Sequence, residues 1–457
     1  MKQLFFLMLL FISLDTVTQN KQVLYGFAEN PQTLLLNPGV ETNYKFHVGI
    51  PFLSGLSGDV ALKNFKLTDL FAEDGIDFNT KIFRLLNKLD VKDHLKLNLQ
   101  MDVLNLGFRV DDKTYISFGF YQELDIIGYW PKDVITFLNE GNATYFNKSF
   151  DLSQIVYKAD FIGALHVGVS RKVNPRLSLG GRFKIYSSAL NLETQNNSGT
   201  VTSQQGSNNI YTHYLNTIDL NFLSSGLIEE DEYPENPMEF ITNSFLGGSL
   251  GIGLDFGMTY HISPRFEFTG SIIDFGYINY SKKVQNTTVK GSYTFEGVNF
   301  LFDPANSTNY WADLNADFEE KVPRGNNTNS YTSWRPTKIN AALKYSFGNE
   351  RRSKYCYDNT FKEFYTDAFG LQIHTIMRPL SPQYAFTGFY EKTFTEKLHA
   401  KVTYTLDDYS FHNVGAGIST QIGNVSLFGM VDNLFAYKNL ANASSVSFQV
   451  GLNLIFD

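Results

Sequence analysis

The chain has 457 residues and a formal net charge of −8 at pH 7, with no basic run longer than Arg351–Arg352, which weighs against a nucleic-acid partner. Its one cysteine, Cys356, rules out an intramolecular disulfide framework and any four-cysteine zinc site. Charged residues make up only 18% and aromatics 15%, at a mean hydropathy of −0.19. A chain neither apolar nor highly charged is what alternate lipid-facing and water-facing residues produce.

In chain order, Lys2 and the apolar stretch Leu4–Leu14 read as a secretory leader over residues 1–20. The apolar core is about 11 residues, short of the roughly 20 that a spanning helix needs. No later stretch approaches about 18 consecutive apolar residues, so a helical membrane protein is excluded. Residues 21–44 are mostly polar, contain the turn Asn37-Pro38-Gly39, and form a segment ahead of the first strand. Residues 45–457 then read as repeated period-2 alternation, because successive side chains of a strand project to opposite faces. Leu95, Leu97, Leu99, Met101 and Val103 share one face. Val414, Ala416, Ile418 and Ile422 share another, as do Val446, Phe448, Val450, Leu452, Leu454 and Phe456.

Fourteen strands are expected, at 45–62, 95–110, 113–123, 160–172, 176–190, 247–260, 265–279, 335–347, 367–378, 383–394, 398–407, 410–422, 424–436 and 445–456. Tight turns are expected at Asp111-Asp112, Asn174-Pro175, Ser263-Pro264, Thr395-Glu396 and Gly423-Asn424, each with turn-forming side chains. Long polar connections fall at 63–94, 124–159, 191–246 and 280–334. Every such turn follows an even strand and every long connection an odd one. That asymmetry belongs to an all-β antiparallel transmembrane β-barrel with short periplasmic turns and long extracellular loops. The connection at 348–366 breaks it: it is either a genuine periplasmic loop or a sign of a missed strand.

Candidate chemistry is sparse. The histidines lie at 47, 94, 166, 213, 261, 374, 399 and 412, without metal-ligand spacing; His399 and His412 fall on neighbouring strands and could meet. No G-x-S-x-G elbow occurs. Gly247–Gly253 resembles a phosphate loop only in composition, since a strand and not a Lys-Ser/Thr helix follows, so its glycines read as relief of crowding at a bend or under a plug. The acidic run Glu229–Glu232 and the Asn-x-Ser/Thr triplets at Asn142, Asn147, Asn286, Asn306 and Asn326 read as solvated loop. No catalytic, cofactor-binding or metal residues are assigned, and no enzyme activity is expected. Tyr277, Tyr280, Tyr390, Phe394, Tyr404 and Tyr409 are candidates for the aromatic girdles at the membrane interfaces.

Three stretches carry a resemblance. Leu24-Tyr25-Gly26-Phe27 is followed by Leu34-Leu35-Leu36-Asn37-Pro38-Gly39 and Tyr44–Pro51; Gly39 stands where alanine is usual. Ser271–Ile278 continues to Gly291–Gly297, and Val431-Asp432-Asn433-Leu434-Phe435 lies near the end. With these the chain resembles an uncharacterised family of outer-membrane barrels from Bacteroidota, and is distantly similar to fourteen-stranded transporters of hydrophobic compounds and to barrels of a protein-secretion apparatus. The resemblance implies fold and location in the cell outer membrane, and brings no functional residues. By likeness to the transporters, residues 21–44 are expected to plug the lumen, and uptake or binding of a small hydrophobic molecule is the leading expectation. The alternative is a structural barrel whose loops at 191–246 and 280–334 form a folded cap for a surface or secretion partner. Expected partners are outer-membrane lipid and lipopolysaccharide, the barrel-assembly machinery during biogenesis, a small hydrophobic ligand and a surface protein.

Overall fold

The computed structural model describes residues 21–456 except 28–29, 143, 207–210, 228–237, 298–309 and 352–363. The expected leader, the acidic run at 229–232, Asn306 and Cys356 lie outside the described residues. Fourteen antiparallel strands close into one barrel. In chain order they are β1 (Phe46–Gly49 and Leu56–Leu62), β2 (His94–Asp111), β3 (Thr114–Tyr129), β4 (Tyr157–Asn174), β5 (Leu177–Thr194), β6 (Ser249–His261), β7 (Phe266–Tyr280), β8 (Tyr331–Trp334 and Lys338–Arg351), β9 (Phe364–Ile376), β10 (Gln383–Thr395), β11 (Leu398–Asp407), β12 (Asn413–Ile422), β13 (Val425–Asp432) and β14 (Ser445–Phe456). Each pairs with its successor, and β14 pairs back onto β1 through Phe46↔Phe456 and Leu56↔Val450, leaving no barrel edge. Closure satisfies the backbone donors and acceptors that lipid cannot.

The alternation sets the two faces. On β6, Leu250, Ile252, Leu254 and Phe256 are exposed on the outer surface while Ser249, Gly251, Gly253 and Asp255 are buried inside. β9 repeats this, with Phe369, Leu371 and Ile373 outside and Gln372 and His374 inside. This is a transmembrane β-barrel. Tight turns follow β2, β4, β6, β10 and β12 at one end, and the long connections follow β1, β3, β5 and β7 at the other.

Four expectations need correction. The first strand is interrupted: Ile50–Gly55 leaves the ladder as a turn, with Phe52 at φ 64° and Phe52 and Leu53 exposed. Pro51 has no N–H to give a ladder, so the chain bulges there. Pairing survives through Ile50 N–H to Leu452 O at 3.1 Å and Phe52 N–H to Asp102 O at 3.1 Å. The third strand continues to Tyr129, six residues beyond 123. The connection at 348–366 is shorter than expected, because β8 and β9 extend into it and pair Glu350↔Tyr365 and Arg351↔Phe364. It stands at the tight-turn end, and no further strand lies there among the described residues.

Finally, the long connections are not polar coil. Arg324–Asn327, Asn286–Phe295, Thr212–Ser225, Ser198–Gln204 and Ser149–Asp151 pair in that order as a five-stranded cap over the loop end. The cap continues the wall through Asn191↔Ser225 to Thr194↔Phe222. Helix Tyr310–Lys321 packs on it through Phe318, and Val322 just after it joins the same cluster, against Tyr293 and Ile218. These strands escaped the sequence because they are half-exposed: Asn286–Phe295 (NTTVKGSYTF) has no run of alternating apolar residues.

Candidate functional site

Residues 21–44 are packed against the inward side chains of nearly every strand. Val23, Leu24 and Phe27 meet Phe428 and Met430; Tyr25 meets Ala342 and Phe389; Leu34, Val40 and Tyr44 meet Tyr115 and Ile455. Polar contacts go round the wall as well. Arg182 donates to Leu34 O at 2.7 Å, Ser271 to Leu36 O at 2.6 Å, Ser170 to Val40 O at 3.1 Å and Lys401 to Tyr25 O at 2.6 Å. Ser419 bonds Asn30 at 2.8 Å, and Gln32 and Asn453 exchange amide bonds of 3.0 and 3.1 Å. Glu41 accepts from Ser178 at 2.9 Å and lies 3.2 Å from His261.

The turn Asn37-Pro38-Gly39 makes the tightest approach. A Cβ on Gly180 of β5 would lie 1.9 Å from Pro38 O, one on Gly257 of β6 would lie 2.1 Å from Asn37 Oδ1, and one on Gly39 would lie 2.5 Å from the Gly257 backbone. The absence of these three side chains lets segment and wall touch backbone to backbone.

Beside this segment, on the side of the long loops, the lumen is filled with charge. Arg335 holds Glu123 at 2.6 Å and Asp160 at 3.4 Å. Lys338 holds Asp274 at 2.9 Å, Lys184 bridges Asp274 at 2.6 Å and Asp255 at 2.9 Å, and Arg182 reaches Asp255 at 3.3 Å. Arg378 is paired with Asp125, and Lys96 with Asp59. Asp274 adopts φ 61° at a bulge where β6 and β7 slip register, and its N–H donates to Asp255 Oδ1 at 2.8 Å. The bulge turns both Ile273 and Asp274 inward, which strict alternation forbids. The space left between segment and lattice is about 70 Å³, lined by Lys21, Lys96, Asp125, Lys184, Asp274 and Arg378. A void that size holds a few waters, far below the ~300–1,000 Å³ of small-molecule sites.

A larger cavity, about 460 Å³, opens in the cap. Phe137 of helix Lys132–Glu140, Tyr293 and Phe295 of the cap sheet, and Trp311, Leu314 and Phe318 of helix Tyr310–Lys321 supply an apolar wall, with Leu215 and Val201. One polar group on that wall has a fixed role. His213 Nδ1 lies 2.9 Å from Asn142 Nδ2 and 2.8 Å from Ser203 Oγ. An amide nitrogen only donates, so Nδ1 accepts, and the proton of the neutral ring sits on Nε2. The imidazole stacks on Phe295 at 5.8 Å. The result is an aromatic slot whose lining also carries polar groups: the His213 ring with Asn142, and Asn315 and the Trp311 indole. At its rim Lys321 and the Tyr293 hydroxyl hold the Asp317 carboxyl below its usual range.

The sequence candidates separate as follows. His399 pairs across to Ser419 near the tight-turn end, and His412 precedes β12 at the loop end, so they do not meet. Tyr280 and Tyr409 are not girdle residues: Tyr280 points inward onto Asp160 at 2.6 Å, and Tyr409 bonds His94 at 2.8 Å. Tyr277, Tyr390, Phe394 and Tyr404 are exposed on the outer surface. Of the loop glycines, Gly253 lies under the Tyr186 ring and Gly248 against Ser188 O. Asn142, whose triplet reads as solvated loop, is the residue that fixes the His213 tautomer. No cluster of three His, Cys, Asp or Glu with metal geometry occurs among the described residues.

These features define a closed fourteen-stranded transmembrane β-barrel with an internal N-terminal segment and a folded cap. The chain belongs to the Family of unknown function (DUF5723), which it matches over residues 38–432. No curated protein is similar to it. Among solved structures, it is similar to the Ralstonia pickettii toluene transporter TbuX at 10% identity and TM-score 0.44, over 98% of this chain and 100% of that one. A Pseudomonas aeruginosa FadL homologue matches at 10% identity and TM-score 0.45, over 96% and 98% of the two chains. The translocator domain of the Neisseria meningitidis autotransporter NalP matches at 8% identity and TM-score 0.33, over 92% of each. Likenesses this weak carry no functional argument; the fold rests on the strands themselves.

Proposed function

We propose that this protein sits in the outer membrane, cap outward, and binds a small apolar molecule carrying one hydrogen-bond acceptor. The observation that carries this reading is the aromatic cavity of about 460 Å³ around His213. Its size falls in the range of small-molecule sites, and a mostly apolar wall with a few placed polar groups is their usual composition. The lumen supports binding at the cap over free diffusion through the barrel. Residues 21–44 act as a plug, and the ion pairs beside them offer an apolar solute nothing. Passage inward therefore requires the plug to move. A scaffolding role for the cap is the second reading, drawn from its being a folded five-stranded surface.

Acetophenone and ethylbenzene, alike in shape but differing in the acceptor oxygen, test the first reading by calorimetry on purified protein. Both should bind, acetophenone more tightly, and Leu215→Trp should abolish both by filling the cavity. His213→Phe should weaken acetophenone by about 2- to 10-fold, the worth of one net hydrogen bond, and leave ethylbenzene unchanged. Failure of both probes to bind, or affinities indifferent to Leu215→Trp, would overturn the cap site.

A further inference from the structure

One stretch of chain lies on the wrong side of the wall for a loop. Residues 238–247, a short helix Met238–Thr242 followed by a single wider turn, run into β6 across the outer surface of β3, β4 and β5. The outward set on β3 is Ile116, Phe118, Phe120, Gln122, Leu124 and Ile126, since Tyr121, Glu123 and Asp125 face the lumen. Phe120 and Gln122 face outward yet are only 7% and 5% exposed, because this stretch covers them. Phe245 stacks on Phe120 at 4.7 Å, and Gln122 donates to Ser244 Oγ at 2.7 Å. On β5 the outward Ser187 donates to Asn243 O at 2.9 Å. On β4 the outward Gly163 leaves the seat empty: a Cβ there would lie 2.1 Å from Ser244 O.

The height of this seat decides its surroundings. Gln122 lies between Phe120 and Leu124 in an outward apolar run of 11 residues on β3, the length that crosses a hydrocarbon layer. The outward neighbours nearer the loop end, Leu95 and Leu97 of β2 opposite Gly128 and Ile126, are still apolar. Irregular backbone survives at such a depth only where its polar groups find partners. Here they do. Gly248 N–H donates to Asn243 O at 2.7 Å, Lys282 to Gly247 O at 2.8 Å, Ser244 Oγ to Ile241 O at 2.7 Å and Thr242 Oγ1 to Met238 O at 2.9 Å. The face turned away from the wall is mostly apolar, with Ile241, Phe245 and Leu246 between 41% and 51% exposed and Glu239 and Thr242 exposed beside them.

We infer that residues 238–247 form a strap immersed in the bilayer leaflet at the loop end, whose exposed Ile241, Phe245 and Leu246 bind lipid acyl chains and tie the cap to the membrane. The strap also shields Gln122 and Ser187, polar side chains that would otherwise face hydrocarbon. This inference is independent of the cap ligand.

Single cysteines at Ile241 and Phe245 in a Cys356→Ser background, each carrying an environment-sensitive fluorophore, test it in phosphatidylcholine vesicles. Leu250 on the outer face of β6 is the lipid reference, and Thr217 in the cap is the aqueous one. Each labelled protein is first shown to retain the mobility of the folded barrel without heating. Both strap positions should be quenched by doxyl-lipids as strongly as Leu250 and by iodide as weakly. Adding Gly163→Val, which removes the seat, should turn Ile241 iodide-accessible. Iodide quenching at the level of Thr217 in the unmodified strap would overturn the inference. So would protection from both quenchers, which would mean a second protein surface in place of lipid.

Discussion

Replacing Arg335 by methionine should destabilise the barrel by about 3 kcal/mol, because removing one partner of a buried ion pair leaves the other charge uncompensated. Arg335 is 3% exposed and holds both Glu123 and Asp160, and its guanidinium lies over the Tyr186 ring at 5.7 Å. Lys338 at 3.5 Å from Glu123 and Lys158 at 3.8 Å from Asp160 take up only part of the loss. The comparison is Lys290→Met in the cap. That pair with Asp219, at 3.0 Å, is exposed at both ends and contributes at most about 1 kcal/mol. Denaturant midpoints in detergent, read by loss of the folded-barrel mobility, distinguish the two. Equal midpoints for both variants would mean that the lumen is wet and the lattice screened.

Leucine at Gly180 should drive residues 37–39 from their seat and open the lumen, while leucine one position on, at Gly181, should do nothing. The two glycines are neighbours on β5 with opposite outlooks. A Cβ at Gly180 meets Pro38 O at 1.9 Å, whereas at Gly181 its nearest neighbour is 3.9 Å away. No rotamer change relieves a clash with backbone, so either the segment or the wall yields. The wall is tied by ladders on both sides, and the segment by scattered side-chain bonds. Cells carrying Gly180→Leu should become sensitive to a bulky hydrophilic antibiotic such as vancomycin. Sensitivity equal to that of Gly181→Leu would show that the segment is not what closes the barrel.

Strand number, closure and the segregation of turns from long loops were legible because lipid on one side and packed polar groups on the other force a strict dyad. Residues 398–407 and 445–456 agree with β11 and β14 in full. The break at Pro51 was missed, although proline, which cannot sit in a central ladder, marked it. Antiparallel register puts His399 opposite Ser419, so its separation from His412 was available to arithmetic. Other features had no local signal. The cap strands lack an apolar face. Arg335 meets Glu123 across 212 positions of sequence, and only closure of the barrel brings the two together. The seat of residues 37–39 depends on glycines on two other strands, each unremarkable alone. His213 looked idle because its partners, Asn142 and Ser203, come from different loops.

Planar-bilayer recording of the purified protein tests the closed lumen most directly. The protein should show no steady conductance, and the same chain lacking residues 21–44 should conduct as an open pore. A stable, ohmic conductance from the intact protein, unchanged by removing that segment, would contradict a barrel closed by its own N-terminus.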